Sequence, residues 1–364
     1  MTDKLKDTLY THAIIRNLAE AIKSEYPKFH IEKFLHAVFS EEWEQLELKQ
    51  RMRHITQCLK IWLPANYEEA IEIMIKSSTK VKGFIMLSFC DFVELYGQNH
   101  WDLSMKSLQE FTKCCSSEFA IRPFLDQQPL QGMKQMMTWA EDKNEHVRRL
   151  SSEGCRPRLP WGMALKEFKK DPSAIIPILE KLKDDPSEYV RKSVANNLND
   201  ISKDNPDVVL DLCESWQGKS ANTDRIIKHA CRTLLKSGNK RALLLFGFGD
   251  PKNIAIKIFK AEKNEVQIGQ QVRVEFQMDV SEKQNEKIRL EYLVHFIKAS
   301  GKTSPKIFQI SEKTWPSAEH TISFSHNFLD RTTRKHFPGT HQFDLIINGE
   351  KKAETSINLL TEKQ

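Results

Sequence analysis

The chain has 364 residues, of which 40% are hydrophobic, and it carries a formal net charge of +6 with an isoelectric point near 8.8. This length and composition are typical of an ordinary globular protein with two or three domains, and they exclude a membrane-type composition. The modest positive charge is compatible with a polyanionic partner but is too small to predict one without further support.

Cysteine usage and the N-terminal residues favour an intracellular protein. Seven cysteines, an odd number, include the adjacent Cys114 and Cys115 but no pair spaced for a metal or a redox motif. The N-terminal segment has no apolar run of the signal-peptide type, and nothing approaches the ~18 consecutive apolar residues of a membrane span. We therefore expect reduced, mostly buried thiols and neither export nor membrane insertion.

The first two thirds of the chain predict helices. From about Leu9 to Lys240 apolar residues recur at helical spacing, with Pro and Gly between the segments. A pattern repeats 43 residues apart at Val147 and Val190, and again 36 residues later at Ile226. These intervals bracket the roughly 40-residue period of paired-helix HEAT repeats, so we predict an all-α HEAT-like-repeat solenoid over residues 1–248.

The last third changes to strand patterning. Turn residues such as Asn348-Gly349 separate alternating or β-branched runs. Seven strands are predicted, at about 254–261, 266–280, 287–298, 304–311, 319–326, 340–348 and 352–359. This number and spacing of strands indicate an immunoglobulin-like β-sandwich over residues 249–364, without the disulfide of antibody domains because the segment has no cysteine.

The repeats present two kinds of helical stripe. One is suited to packing, and the other is polar, mainly basic and interrupted by carboxylates. The polar stripe holds, in three successive repeats, Arg149, Glu153 and Arg156; Lys192, Asn196 and Asp200; and Lys228, Arg232 and Lys236. Stacked repeats would align these stripes into one curved surface suited to phosphate groups. The alternative is a solvated face with i,i+4 ion pairs such as Arg149 with Glu153.

Two segments suggest a site on this surface. Glu153 is followed by helix-ending Gly and Pro residues and then by Trp161, a large ring in a loop where packing does not require it. About one repeat earlier, Glu118 follows Ser116 and Ser117. The serines are equally well explained as the cap of a helix that holds Glu118 in its first turn.

These segments carry a family resemblance. The runs Ser116–Phe124, Val147–Gly162 and Tyr189–Pro206 resemble the AlkC branch of the HEAT-like-repeat alkylpurine DNA glycosylases, the superfamily that also contains AlkD. That branch also has an immunoglobulin-like domain after its solenoid, so the resemblance extends over essentially the whole chain. It implies a monofunctional DNA-3-methyladenine glycosylase that removes N-alkylated bases, chiefly 3-methyladenine with 3-methylcytosine as a further candidate, from duplex DNA. It also implies that the lesion is not turned fully into a protein pocket.

The resemblance assigns roles to particular residues. Glu118, Glu153 and Asp200 fall where the family has acidic active-site residues, and Trp161 falls where it has an aromatic near the lesion. Because an N3-alkylated base is already cationic, the remaining task is to stabilise an oxocarbenium-like sugar, which carboxylates do electrostatically. We expect Asp200 and Glu153 to act as the main pair, with Glu118 supporting them.

Basic residues of the repeats and of a loop in the C-terminal domain are the candidate DNA contacts. The loop is Arg331–His341, and its alternative interpretation is a solvated loop on a packing module. The full set is Arg148, Arg149, Arg156, Arg158, Lys192, Lys228, Arg232, Arg331, Arg334 and Lys335.

A non-catalytic HEAT scaffold that binds DNA or protein is the alternative function, because solenoids host many activities. A metalloenzyme is disfavoured, since neither the histidines nor the cysteines show ligand spacing. We expect no cofactor and no metal. The expected partner is alkylated double-stranded DNA, bound by a monomer in the bacterial cytoplasm near the nucleoid and not at a membrane.

Overall fold

The computed structural model of the protein describes residues 5–281, 285–331 and 334–361. The chain divides into two compact units, Met1–Ala230 and Cys231–Gln364. The first unit is helical, as the periodicity predicts. Its α-helices in chain order are α1 (Leu5–Leu9), α2 (His12–Glu25), α3 (Ile31–Val38), α4 (Leu48–Trp62), α5 (Tyr67–Ser78), α6 (Leu87–Tyr96), α7 (Trp101–Phe111), α8 (Arg122–Gln127), α9 (Pro129–Trp139), α10 (Glu145–Gly154), α11 (Lys166–Lys170), α12 (Ile176–Leu182), α13 (Glu188–Ile201), α14 (Pro206–Trp216) and α15 (Ala221–Ala230).

The helices that carry the repeated sequence stack side by side. Helix α10 packs against α13, and α13 packs against α15, while α9 and α12 form the neighbouring row. The equivalent positions Val147, Val190 and Ile226 are all buried in this stack. The stacking confirms the prediction of a HEAT-like solenoid, in which each repeat covers the apolar face of the next.

Helix α10 has well-defined ends. The side chain of Asn144 caps its first turn by accepting a hydrogen bond from the His146 amide at 2.9 Å. At the other end, a Cβ on Gly154 would lie 2.7 Å from Cγ2 of Ile121. A larger residue would therefore push this helix end away from the segment that precedes α8, so glycine permits their close approach.

The second unit contains two short helices and a β-sandwich. Its elements are α16 (Arg232–Lys236), α17 (Lys240–Leu245), β1 (Ile254–Ala261), β2 (Glu265–Gln267), β3 (Gln271–Val280), β4 (Glu286–Ile297), β5 (Thr303–Trp315), β6 (Glu319–Asn327), β7 (Gly339–Ile347) and β8 (Glu350–Leu360). One sheet has the order β1-β3-β6 and the other β2-β8-β7-β4-β5. Paired strands are antiparallel, apart from the parallel pair of β2 and β8.

The core of the sandwich lies between the two sheets. Phe276 from the first sheet packs in a cluster with Leu290 and Leu345 from the second, and Val274 packs in another with Tyr292 and Phe343. Asn348 and Gly349 both have positive φ and join β7 to β8, which is the tight turn that this dipeptide predicts. The predicted immunoglobulin-like sandwich is confirmed.

Two details differ from the sequence predictions. The run predicted as one strand over 266–280 is two strands, because Gly269 has φ +91° and turns the chain between them. The described residues therefore contain eight strands, one more than predicted. The compact units also divide after Ala230 and not at 248–249, because the segment between packs on the sandwich: Asn348 donates to the Gly249 carbonyl at 2.9 Å, and Lys287 donates to that of Phe246 at 2.8 Å.

Candidate active site

Three carboxylates and two arginines alternate along the stacked helices. Arg149 Nη1 lies 2.5 Å from Oε2 of Glu118, and its Nη2 lies 3.3 Å from Oε1 of Glu153. Arg156 continues the chain, with Nη1 at 2.5 Å from the same Glu153 oxygen and Nε at 2.8 Å from Oδ2 of Asp200. The structure thus brings together all three acidic residues predicted from the sequence.

Burial distinguishes this cluster from a surface charge network. Glu153 and Asp200 are 4% and 2% exposed, respectively. Burial lowers the pKa of Arg149, but the charges of Glu153 and Glu118 raise it, and the pKa lies above its ordinary value. The pKa of Arg156 is raised in the same way, by Glu153 and Asp200. Both guanidinium groups stay charged. The pair of Arg149 with Glu153, anticipated as part of a solvated face, is formed but is mostly removed from solvent, with the two side chains 15% and 6% exposed.

The three carboxylates differ in how completely they are bound. Both oxygens of Glu153 are occupied, because Ser193 donates to Oε2 at 2.6 Å. Both oxygens of Asp200 are occupied as well, because Lys203 donates to Oδ1 at 3.0 Å. Glu118 accepts from Ser116 and Arg149 through Oε2, whereas its Oε1 accepts no hydrogen bond from the described residues. Glu118 is therefore the carboxylate with an oxygen available to a ligand.

The local structure around Glu118 does not match the capping alternative. Residues 118–121 form a turn, and α8 begins only at Arg122. No side chain caps this helix, and the Ser116 hydroxyl donates to the Glu118 carboxylate at 2.7 Å. Glu118 is therefore not in the first turn of a helix, and Ser116 orients its carboxylate.

A cavity of about 580 Å³ opens beside the cluster. Glu118, Glu153 and Arg156 line one part of it, and the rest is mainly apolar. Trp161 lies at its rim with 67% of its surface exposed. Its φ of +64° is in the left-handed region, which is uncommon for a bulky residue and points to a functional constraint. Trp161 thus lies in a loop beside Glu118 and Glu153, and its contact with a lesion stays a prediction.

Two residues that sequence reasoning did not single out hold the Trp161 loop. Lys49 on α4 donates to the Trp161 carbonyl at 2.7 Å. Arg122, which is fully buried, donates through Nε to the Met163 carbonyl at 2.6 Å and through Nη1 to the Gly154 carbonyl at 2.9 Å. Burial lowers the pKa of Arg122 to about 10, and the group remains charged at neutral pH. Nothing local in the sequence signals Lys49, but Arg122 lies within the resembling run Ser116–Phe124.

Tyr189 on α13 is a further neighbour that the sequence did not indicate. The Arg149 guanidinium carbon lies 4.9 Å from the centre of its ring, which is a cation–π distance. Tyr189 is itself partly exposed. The ring thus covers one face of the guanidinium that joins Glu118 to Glu153.

The remaining basic residues of the repeats are placed differently from one another. Arg148 and Arg158 form ion pairs with Asp185 and Asp204. Lys192 is exposed on α13 and Lys228 on α15. Lys228, Arg232 and Lys236, predicted as one stripe, do not lie on one continuous helix, because α15 ends at Ala230 and α16 begins at Arg232. Spacing of i+4 aligns side chains only while one helix continues.

The basic loop of the second unit is partly described. Arg331 and Lys335 are exposed, and Arg334 is half-buried with its guanidinium carbon 4.5 Å from the centre of the Phe296 ring. The backbones of Arg331 and Arg334 pair with each other. Residues 332 and 333, which complete the predicted run, lie outside the described residues.

None of the seven cysteines, all within the described residues, forms a disulfide, and five of them are buried. Across 5–281, 285–331 and 334–361, no three His, Cys, Asp or Glu side chains are grouped so that they could hold a metal ion. None of the helices in those ranges is long and apolar enough to cross a membrane.

Stacked two-helix repeats with a buried carboxylate and arginine cluster, followed by a β-sandwich, define a HEAT-like-repeat protein with an immunoglobulin-like C-terminal domain. Residues 113–234 match the family described as "DNA alkylation repair enzyme". Residues 255–361 match "Uncharacterised protein YhaZ, C-terminal Ig-like domain".

Two similar proteins extend over almost the whole chain. The structure of Pseudomonas fluorescens alkylpurine DNA glycosylase AlkC, bound to DNA containing an abasic site analog, matches with a TM-score of 0.94 and 34% identity and covers 98% of this chain and 100% of that one. The protein YhaZ of Bacillus subtilis (strain 168) is 44% identical over 348 residues, which are 94% of this chain and 96% of that protein. The chain belongs to the AlkC-type family of alkylpurine DNA glycosylases.

Proposed function

We propose that the protein is a DNA glycosylase that hydrolyses the N-glycosidic bond of cationic N-alkylated bases in duplex DNA. The substrates we propose are 3-methyladenine and 3-methylcytosine, released without full rotation of the base out of the helix. The observation that carries this proposal is the alternation of three carboxylates, two of them buried, with two arginines beside an exposed aromatic at the rim of a cavity. The DNA-bound relative supports a DNA substrate.

The charges of the cluster suit a cationic reacting centre. An N3-alkylated base leaves as a neutral molecule, so no general acid has to protonate it, and the sugar develops positive charge in the transition state. Fixed carboxylates stabilise this charge most strongly where water is excluded, as it is around Glu153 and Asp200. Arginines between the carboxylates reduce their mutual repulsion and keep them in place.

The hydrogen bonds favour a division of roles that differs from the one expected from the sequence. Glu118 has the available oxygen, so we assign it direct contact with the reacting sugar or the attacking water. Glu153 and Asp200 stabilise the positive charge of the sugar through the electrostatic field that they and Arg156 create. The arginines predicted to face DNA at positions 149 and 156 are, in this proposal, partners of the carboxylates.

Contacts to the rest of the DNA come from the exposed groups. The Trp161 ring is placed to attract a cationic base or sugar, a contribution of about 0.5–2 kcal/mol for cation–π contacts. Lys192 of the solenoid, and separately Arg331 and Lys335 of the sandwich, are exposed and can contact phosphate, and Lys228 is a further exposed lysine of the solenoid. We propose that the protein acts as a monomer on DNA in the bacterial cytoplasm.

The test is release of free 3-methyladenine from methylated duplex DNA, with DNA affinity measured in parallel. Glu118→Gln, Glu153→Gln and Asp200→Asn keep the shapes of the side chains, so that Arg149 and Arg156 are not left without neighbours. We expect release to collapse in these variants while DNA binding persists. DNA binding by the wild type without any base release would support the scaffold function instead, and release of uracil at a comparable rate would contradict selection by charge.

A further inference from the structure

The cavity beside the carboxylates is larger than the chemistry requires. Its volume of about 580 Å³ lies within the ~300–1,000 Å³ of small-molecule sites, whereas a single attacking water occupies about 30 Å³. Its walls come from α4, the segment at Gly83–Leu87, the turn that holds Glu118 and the loop that holds Trp161. All of these belong to the first unit.

The walls are suited to a flat aromatic molecule. Met52 and Leu87 contribute buried apolar surface, and Phe84, Phe119 and Trp161 contribute rings on which a base can stack. Lys49 connects the turn that holds Phe119 to the loop that holds Trp161: its ammonium lies 4.7 Å from the centre of the Phe119 ring and donates to the Trp161 carbonyl.

The rim of the cavity offers both a hydrogen-bond acceptor and hydrogen-bond donors. Oε1 of Glu118, which has no hydrogen bond from the described residues, can accept from the exocyclic amino group of an adenine or cytosine ring. The Lys49 ammonium has three donors, of which one binds the Trp161 carbonyl, so the others can meet a ring nitrogen. Neutral bases of this type carry both a donor and acceptors on adjacent edges.

We propose that this cavity is the binding site of the released nucleobase, a neutral, planar, amino-substituted purine or pyrimidine. The inference rests on the proposed function, because the base reaches the cavity only after its glycosidic bond has broken. Glu118 and Glu153 line both the cavity and the carboxylate cluster, so the leaving base moves directly from the reacting sugar into the cavity. Occupation by product delays turnover without taking part in bond cleavage.

The first measurement is binding of free 3-methyladenine and free adenine to the full-length protein by calorimetry. The same preparations are assayed for single-turnover release of base from methylated DNA. Leu87→Trp fills the apolar part of the cavity, away from the carboxylates, and Leu130→Trp, at an 85% exposed position on α9, is the matched control. Phe84→Ala removes one stacking ring and replaces Leu87→Trp if that variant does not fold.

We expect saturable binding of the free base to the wild type and to Leu130→Trp. In Leu87→Trp or Phe84→Ala, binding should weaken at least about tenfold, since 1.4 kcal/mol of lost contact gives that factor. The single-turnover rate should stay within about twofold, and inhibition of multiple turnover by added base should be relieved.

Two results would overturn the inference while leaving the proposed function intact. One is the absence of saturable binding by a wild type that releases base from DNA. The other is a Leu87→Trp variant whose single-turnover rate falls by the same factor as its affinity for the free base. The base would then occupy the cavity while it is still attached to the sugar. A wild type that releases no base from DNA contradicts the proposed function and, with it, the assignment of the cavity to a product.

Discussion

Trp161 combines exposure with an unfavourable backbone conformation. Left-handed backbone costs an L-residue roughly 1–2 kcal/mol, and a large exposed ring recovers little of that by burial. The carbonyls of Trp161 and Met163 are fixed by Lys49 and Arg122, so the neighbouring contacts maintain the strained position. Strain of this kind is typical of sites where a side chain must be presented to a ligand.

Replacement of Trp161 by Asn should separate stability from activity. Asn adopts the left-handed region more readily than Trp, so we expect the melting temperature to stay unchanged or rise slightly. Base release should fall, because the ring beside the carboxylates is lost. Thermal unfolding and single-turnover release measure the two effects, with Leu130→Asn as the control at another exposed apolar position. A clear loss of stability in Trp161→Asn alone would show that the ring is mainly structural.

Replacement of Glu118 by Gln should be the most specific test of the available carboxylate oxygen. Loss of one preorganised electrostatic group typically costs about 10²–10³-fold in the chemical step. DNA affinity should stay the same or increase, since a negative charge near phosphate is removed. The control is Glu110→Gln, which removes only a half-exposed ion pair with Lys113. Equal release by Glu118→Gln and wild type would move the direct role to another carboxylate.

At the scale of elements, the site depends on how α10 and α13 are held side by side. Glu153 on α10 is bound by Ser193 on α13, and Arg156, just beyond the end of α10, is bound by Asp200 on α13. Asn197, also on α13, donates to the Ser152 carbonyl at 2.8 Å. A small shift between the two helices would therefore change all three contacts together.

Gly154 gives a direct test of this packing. The added Cβ in Gly154→Ala would lie 2.7 Å from Cγ2 of Ile121, so we expect destabilisation of about 1–3 kcal/mol from overpacking. The intrinsic preference of Ala for helices acts in the opposite direction and is smaller. Denaturant unfolding of Gly154→Ala, Ile121→Ala and the double variant measures the coupling. If the double variant loses as much unfolding free energy as the two single variants together, the predicted clash is excluded.

At the scale of the whole molecule, the second unit contains a group of buried histidines. His326, His336 and His341 lie around Phe328, with ring centres 4.9–5.4 Å from its centre. Each has one buried ring nitrogen without a hydrogen bond in the described part of the chain. Burial, with nearby His336 and Arg334, lowers the pKa of His326 to about 3, and burial lowers the pKa values of His336 and His341.

This group predicts acid sensitivity of the sandwich. The unfolded chain binds protons below about pH 6.5 that the folded unit does not, so stability is fully present above that pH and falls toward about pH 3. For His326 the slope approaches about 1.4 kcal/mol per pH unit, and His336 and His341 contribute with the same sign. Hydrogen exchange of the β6 and β7 amides in the full chain, measured against pH, reports on this unit. We expect His326→Gln to flatten the dependence and the control His320→Gln, at a half-buried position on the same strand, to leave it unchanged.

The sequence by itself determined the features that depend on local spacing. Helical periodicity with a repeat of about 40 residues specified the solenoid, and alternating strands with an Asn-Gly turn specified the sandwich. The runs around Glu118, Glu153, Trp161 and Asp200 were sufficient to predict that these residues belong to one site.

Only the tertiary structure decided which contacts each group makes there, because ion pairing and burial depend on residues that are distant in the chain. It paired Arg149 and Arg156 with carboxylates, left one oxygen of Glu118 available, and brought Lys49 to the Trp161 loop from 112 residues away. The sequence pattern also did not predict the helix break between Ala230 and Arg232 or the turn at Gly269. Each is a single-residue departure within an otherwise regular run.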